Sequence, residues 1–176
     1  MDVNTAHALA LRGHAGQLNR FGEPIIDHLE RVARAVPVEA RTIAFLHDVL
    51  ERADTTVKEL RANDVTEAEH AVLKLLTHRP HETYEDYVLR IARARGRAGR
   101  LARTVKLADL DDHLSHAQLP PQAPNYAWAR RQIVIAQERD REWLPAERTP
   151  AKVARKSKRR RKEGVHILPE SLALSD

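Results

Sequence analysis

Residues 39–50, with the sequence EARTIAFLHDVL, decide the fold. Their apolar side chains follow helical rather than alternating spacing, which predicts a buried helix. At the C-terminal end of this helix, His47 and Asp48 stand side by side. Burying an imidazole and a carboxylate is costly unless the two groups are satisfied together or by a ligand. The stretch therefore indicates either a structural histidine paired with an acid or part of a chemical site.

Helical spacing continues on both sides of this stretch. Apolar residues recur three and four positions apart in five segments, residues 6–13, 29–36, 84–91, 101–114 and 126–143. Capping-box patterns at Thr56 with Glu59 and at Thr66 with Glu69 predict two further helix starts. No segment has the clean alternation of a β-strand. We therefore expect an all-α fold, a bundle of about seven helices.

Composition excludes several classes of protein. The 176 residues contain no cysteine, which excludes a disulfide scaffold, a zinc finger and a thiol nucleophile. The N-terminus lacks the basic start and apolar run of a signal peptide, and no apolar stretch is long enough to span a bilayer. We therefore expect a cytoplasmic protein that makes no contact with a membrane.

The positive charge is confined to the C-terminal end of the chain. Residues 149–176 hold eight Lys or Arg and three Asp or Glu, whereas residues 1–148 carry 22 residues of each sign. We therefore expect a domain over residues 1–148 and a basic, flexible tail over residues 149–176. A contact between this tail and nucleic acid is the alternative to simple solvation.

Several polar residues outside residues 39–50 also suggest chemistry. Glu51 follows His47 by four positions, so a helix would place the two side chains on neighbouring faces. Asp109 follows an apolar run, where a carboxylate needs a partner such as a cation.

Four of the ten histidines lie among charged or turn residues and are expected at the surface: His70, His78, His81 and His166.

Four motifs occur in one order along the chain: His14-Ala-Gly-Gln17, Gly22-Glu-Pro-x-Ile-x-His28, Leu46-His-Asp-x-x-Glu51 and Lys106-Leu-Ala-Asp109. They resemble the motifs of HD-domain hydrolases of the RelA/SpoT type, and in particular of the small alarmone hydrolases that include the metazoan SpoT homologue. The resemblance covers residues 7–143 and implies an HD-domain helical bundle. It also implies a metal-dependent phosphohydrolase that removes pyrophosphate from the ribose 3′ position of guanosine 3′,5′-bis(diphosphate), a small nucleotide.

The same resemblance implies a role for particular residues. One divalent metal ion, which is usually Mn²⁺ in this family, would be held by four ligands, namely His28, His47, Asp48 and Asp109. Glu51 would activate the attacking water. His14 and Gln17 would support the turn of the first motif, or would orient the metal ligands without touching the ion.

The chain departs from the family's pattern at positions around the nucleotide. Arg52 stands where these hydrolases usually have an acid, Ile25 replaces an aromatic residue, and His113 replaces an asparagine. Asn19, followed by Arg20, replaces an arginine. The candidate substrate-binding residues are thus Asn19, Arg20, Arg52, Lys106 and His113. These departures leave two alternatives open: hydrolysis of another phosphorylated nucleotide or cofactor, and a non-catalytic module that senses a nucleotide or binds nucleic acid.

Two further groups have competing interpretations. Tyr84 and Tyr87 are expected to pack against the bundle rather than to stack on a base. Six arginines could gather around a phosphate-rich ligand or form a solvated face: Arg90, Arg93, Arg95, Arg97, Arg100 and Arg103.

Overall fold

Helices account for all the regular structure described in the computed structural model, which covers residues 1–53, 55–115 and 120–143. These ranges contain nine α-helices: α1 (Val3–Gly13), α2 (Ile25–Ala35), α3 (Arg41–Leu46), α4 (Val49–Arg52), α5 (Val57–Ala62), α6 (Glu67–Leu76), α7 (Tyr84–Arg93), α8 (Gly96–Ser115) and α9 (Ala123–Trp143). The all-α prediction is confirmed. The predicted boundary at residue 148 and the basic tail lie outside the described residues.

The main departure from the predicted helices occurs at residues 39–50. Instead of one helix, the chain forms a 3₁₀ turn over Val38–Ala40, then α3 and α4, with a break at His47 and Asp48. Nδ1 of His47 lies 2.8 Å from the carbonyl oxygen of Ala44. A regular helix offers that carbonyl to the amide four residues later. The helix is therefore interrupted at the two residues whose burial needed an explanation.

Both predicted capping boxes are confirmed. The hydroxyl of Thr56 accepts from the Glu59 amide at 3.2 Å, and the Glu59 carboxylate accepts from the Thr56 amide at 2.7 Å. Thr66 and Glu69 repeat this arrangement at 3.2 Å and 2.8 Å. A cap of this kind contributes about 1 kcal/mol, so α5 and α6 begin where the local sequence predicts.

The core forms around α2, which packs against both α3 and α8. α3 packs against α1 and α2, while α8 packs against α2, α6, α7 and α9. Leu29, Ile43 and Leu110 are almost completely buried at this junction. Each such side chain contributes roughly 1.5–3 kcal/mol by leaving water. This packing fixes the three helices relative to one another, and these helices carry the predicted metal ligands.

The two longest helices are rich in charged residues rather than uniformly apolar. α8 has 20 residues and α9 has 21, and both contain several arginines. Within the part of the chain that the structure describes, no helix combines the length and the apolar character needed to cross a membrane.

Some expectations for polar residues are wrong. His70 was expected at the surface but is only 6% exposed, because α6 presents it to the bundle. Arg103 is fully buried, and Arg90 is held by Glu82 at 2.7 Å. These two arginines therefore belong neither to a solvated face nor to a ring around a phosphate. His166 lies outside the described residues.

Candidate metal centre

The structure brings together His28, His47, Asp48 and Asp109, hereafter the His/Asp cluster. His28 comes from α2, His47 and Asp48 from the break between α3 and α4, and Asp109 from α8. Oδ1 of Asp109 lies 3.4 Å from Nε2 of His28 and 3.7 Å from Nε2 of His47. Nε2 of His47 lies 3.4 Å from Oδ1 of Asp48. Four polar groups spread over 82 positions of the chain thus converge on one buried point.

Each imidazole of the cluster is oriented by its other nitrogen. Nδ1 of His47 donates to the carbonyl oxygen of Ala44 at 2.8 Å, and Nδ1 of His28 lies 2.7 Å from Oδ2 of Asp112. A neutral imidazole that donates from Nδ1 presents a lone pair on Nε2. Both Nε2 atoms are buried and have no hydrogen-bond partner in the described part of the chain. Both Nε2 atoms therefore face the centre of the cluster, where a cation could take the place of a proton.

The carboxylates are oriented in a similar way, each by a basic side chain. In each of the three carboxylates, Asp48, Asp109 and Asp112, one oxygen lies near an imidazole and one lies against a basic side chain. The three pairs are Asp109 Oδ2 with Lys106 (2.8 Å), Asp48 Oδ2 with Arg52 (3.1 Å) and Asp112 Oδ1 with Arg31 (2.6 Å). Burial alone would raise the pKa of Asp109, but Lys106 and the neighbouring imidazoles hold it well below its usual range. The carboxylates are therefore ionised, and the basic side chains hold them in the orientation that faces the imidazoles.

These residues fit a divalent cation. Ligand atoms around an octahedral ion at about 2.1 Å lie about 3 Å apart, close to the 3.4–3.7 Å separations in the cluster. Burial opposes a charged His28, yet the carboxylates of Asp109 and Asp112 beside the ring raise its pKa to about 9. The cluster therefore favours a positive charge at its centre. Its mixture of imidazoles and carboxylates suits Mn²⁺, Fe²⁺, Co²⁺ and Zn²⁺.

Glu51, the predicted base, borders the cluster without belonging to it. Its carboxylate accepts a hydrogen bond from the backbone amide of His78. Protein packed around the carboxylate raises the pKa of Glu51, the amide of His78 lowers it, and the charge of Asp48 raises it further. Glu51 therefore lies within electrostatic range of the ligands, held by the loop that precedes α7.

His14 and Gln17 connect the first motif to α4. Nδ1 of His14 lies 2.9 Å from Oε1 of Gln17, and Nε2 of Gln17 donates to the carbonyl oxygen of Arg52 at 2.8 Å. The bond at Arg52 falls one residue after Glu51. The loop after α1 and the end of α4 are thereby joined beside the cluster.

The candidate substrate-binding residues occupy different environments. Oδ1 of Asn19 accepts from the amides of Phe21 and Glu23 at 2.8 and 3.0 Å, so this side chain organises its own loop. Arg20 donates to Gln122, at the approach to α9. Neither residue touches the cluster in this structure. Arg52, Lys106 and His113 do border it, and Oδ1 of Asp109 lies 3.2 Å from Nε2 of His113.

Two tyrosines lie beside Lys106, and only one has a satisfied hydroxyl. Tyr87 is 5% exposed and donates to the carbonyl oxygen of Leu76, as expected for a packing residue. The hydroxyl of Tyr84 is buried and has no partner among the described residues. Burial raises the pKa of Tyr84 to about 12. Tyr84 thus presents a neutral donor on the Lys106 side of the cluster.

Asp112 and Arg31 are the site residues that the sequence reasoning missed. Asp112 follows Asp109 by three positions, a spacing that places both on one face of a helix. That spacing was a usable signal, because carboxylates commonly hold the outer nitrogen of a metal-binding histidine. Arg31 has no such signal, since its contact with Asp112 depends on how α2 crosses α8.

A scan of protein-family models finds no match to this chain, and a search of curated proteins finds no relative. The resemblance to HD-domain hydrolases therefore depends on the four motifs and on the positions of the residues within them.

Proposed function

We propose that this chain is a metal-dependent phosphohydrolase acting on a nucleotide, with guanosine 3′,5′-bis(diphosphate) as the first substrate to test. One observation carries the proposal: two buried Nε2 atoms, from His28 and His47, face an ionised Asp109 without hydrogen-bond partners. Burying polar atoms in this way costs free energy that a bound cation would recover.

The His/Asp cluster would hold the ion through His28, His47, Asp48 and Asp109. When bound, a divalent ion would lower the pKa of a bound water and offset the negative charge of the phosphoryl group. Glu51 would accept the proton of the attacking water. Its raised pKa strengthens it as a base, and the hydrogen bond from the amide of His78 fixes its position.

Positive and neutral donors near the cluster favour a phosphorylated substrate. Lys106 lies against Asp109 and Arg52 lies against Asp48, so both cations border the ligands. The hydroxyl of Tyr84 is a donor without an acceptor among the described residues. A phosphate oxygen would accept from such groups, and charged donors bind it most strongly. The substrate would thus approach between α4 and α8.

Metal content tests the first part of the proposal. Protein purified without chelator should contain about one divalent ion per chain, and His47→Ala should lose it because one of four ligands is removed. His70→Ala is the matched control, since His70 is equally buried but lies outside the cluster. Wild-type protein that binds none of Mn²⁺, Fe²⁺, Co²⁺ and Zn²⁺ would overturn the proposal.

Glu51→Gln tests the chemistry separately from metal binding. The substitution keeps the shape of the side chain but removes the base, so turnover should fall by roughly 10²–10⁴-fold while metal content stays unchanged. Release of pyrophosphate and of phosphate should be measured across a panel of nucleotides that includes the alarmone. Full activity in Glu51→Gln would show that the mechanism is wrong whatever the substrate.

The salt bridge between Arg52 and Asp48 favours a second candidate, hydrolysis of another phosphorylated nucleotide or cofactor. At 3.1 Å from Asp48, Arg52 puts a positive charge where an acid would share proton transfer in the alarmone hydrolases. Arg52→Asp should raise alarmone turnover if the chain is a diverged member of that group. Loss of activity would instead identify Arg52 as a substrate ligand. Nucleotide affinity without turnover in wild-type protein would support a non-catalytic sensing module.

A further inference from the structure

His113 stands one helical turn after Asp109 on α8. Its Nε2 lies 3.2 Å from Oδ1 of Asp109, closer than Nε2 of His28 at 3.4 Å or of His47 at 3.7 Å. A single carboxylate oxygen is therefore surrounded by three imidazole nitrogens. Residues four apart share one face of a helix, so α8 presents Asp109 and His113 together.

The ring of His113 is held between two others. It stacks on His28 with centroids 4.9 Å apart and planes inclined by 21°, and on Tyr126 of α9 at 5.0 Å and 22°. The side chain is 29% exposed, compared with 6% for His28 and 5% for His47. His113 thus forms the solvent-facing edge of the cluster, with its ring plane set by its neighbours.

Nε2 of His28, a carboxylate oxygen of Asp109 and a ring nitrogen of His113 all lie within 4.8 Å of one another. The same limit holds for His28, His47 and Asp48. The two groups share His28, so they are two sides of one site rather than two sites. Oδ2 of Asp109 already binds Lys106, which leaves Oδ1 for the imidazoles.

We propose that His113 is a third imidazole ligand of the ion, an inference that rests on the proposed function's metal site. With His28, His47, Asp48 and Asp109 it would complete a set of five donors. A six-coordinate ion would then keep one position, for the attacking water, and the substrate phosphate would be held by the cations that border the cluster. Imidazole suits Co²⁺, Ni²⁺ and Zn²⁺ better than Mn²⁺. His113 would therefore bias the site toward those ions.

The wild-type protein with Co²⁺ provides the most direct test. Paramagnetic Co²⁺ moves the proton resonances of its imidazole ligands far outside the usual range. Three such rings should be observed in the NMR spectrum if His113 is a ligand, and two if only His28 and His47 are. A spectrum with two shifted rings would overturn this inference while leaving the proposed function intact.

His113→Asn measures the contribution to affinity. Competition titrations should show that Co²⁺ binds at least about tenfold more weakly, with a smaller loss for Mn²⁺. The matched control is His81→Asn, an exposed histidine at φ 67°, a conformation that asparagine tolerates. Equal affinities in wild type and His113→Asn for both ions would overturn the inference. Absence of any bound ion in wild-type protein would overturn the proposed function as well.

Discussion

Two of the regions that bury polar side chains do so in opposite ways. Around Arg103, Nη1 donates to the carbonyl oxygens of Ile91 at 3.2 Å and of Ala94 at 2.6 Å, and Nη2 donates to Asp140. Only Nε of that guanidinium has no partner among the described residues. The Arg103 region is thus a nearly satisfied structural network that joins α7, α8 and α9.

The His/Asp cluster has the reverse pattern. Its outer atoms are bonded, since Nδ1 of His28 and of His47 each has a partner at 2.7–2.8 Å. Its inner atoms, which are Nε2 of His28, Nε2 of His47 and Oδ1 of Asp109, face one another. Burial of charge alone therefore does not distinguish a functional site from a structural one. What distinguishes them is whether several inward-pointing atoms converge on one point without being satisfied by the protein itself.

The largest effect is expected from Arg103→Met, which breaks the structural network. Removing the guanidinium leaves the carbonyl oxygens of Ile91 and Ala94 without this donor, and each unsatisfied acceptor costs about 1–3 kcal/mol, measured as the free energy of unfolding in urea. Metal content per folded molecule should not change. The control is Arg139→Met, because Arg139 is exposed and, among the described residues, donates only to the carbonyl oxygen of Ala92 at 3.1 Å. Loss of metal in folded Arg103→Met protein would contradict the separation of the two regions.

Asp112→Asn tests the outer bonds of the cluster. The substitution weakens the hydrogen bond that orients His28, so metal affinity should fall by about 10–100-fold in a competition titration. Asp111→Asn is the control, since Asp111 is the exposed neighbour and pairs with Arg130. Equal losses for the two variants would show that the effect is one of general charge rather than of orientation.

A matched pair of tyrosines extends the comparison to hydroxyl groups. Tyr87→Phe removes a satisfied buried bond to Leu76 and should cost about 0.5–1.5 kcal/mol of stability. Tyr84→Phe removes a hydroxyl that has no partner in the described structure, so stability should stay equal or rise. Thermal unfolding of the two variants provides the measurement. A loss of stability in Tyr84→Phe as large as in Tyr87→Phe would contradict the conclusion that the hydroxyl of Tyr84 has no hydrogen-bond partner in the described structure.

The smallest effect is expected at Glu82, which pairs with Arg90 and holds the loop before α7. Hydrogen bonds from Arg90 lower the pKa of Glu82 from 4.5 to about 2. A carboxylate with a lowered pKa stabilises the fold above pH 4.5 and loses that contribution as the pH falls toward 2. Glu82→Gln should therefore cost up to about 1 kcal/mol at pH 6 and nothing near pH 2. A difference from wild type that persists at pH 2 would refute this explanation.

The sequence predicted the elements that depend on local chemistry. The capping boxes at Thr56 and Thr66 and the helical spacing of residues 84–91 need only neighbouring residues, and the structure contains each of them. The assembly of His28, His47, Asp48 and Asp109 was accessible only through the four motifs, because spacing along the chain does not say which helices touch.

Other features could not be predicted because they depend on contacts between helices or on a side chain that competes for a backbone carbonyl. The break in residues 39–50 arises from the bond between the His47 ring and the Ala44 carbonyl. The link between Arg31 and Asp112 joins residues on α2 and α8. His70 is buried by the bundle even though charged residues surround it in the sequence. In each case the outcome depends on a residue of another helix or on a side chain that competes for a backbone hydrogen bond.

The distance along the chain between the members of the His/Asp cluster bears on when it can form. His28 belongs to the second helix and Asp109 to the eighth, so synthesis must proceed past residue 109 before both exist. Contacts of such long separation form late in folding, after the cost of closing the intervening loop has been met. A chain that ends before residue 109 therefore lacks one of the four proposed ligands. Under the proposed function, metal loading would report that α8 has docked, and a fault in that docking would leave the proposed site empty.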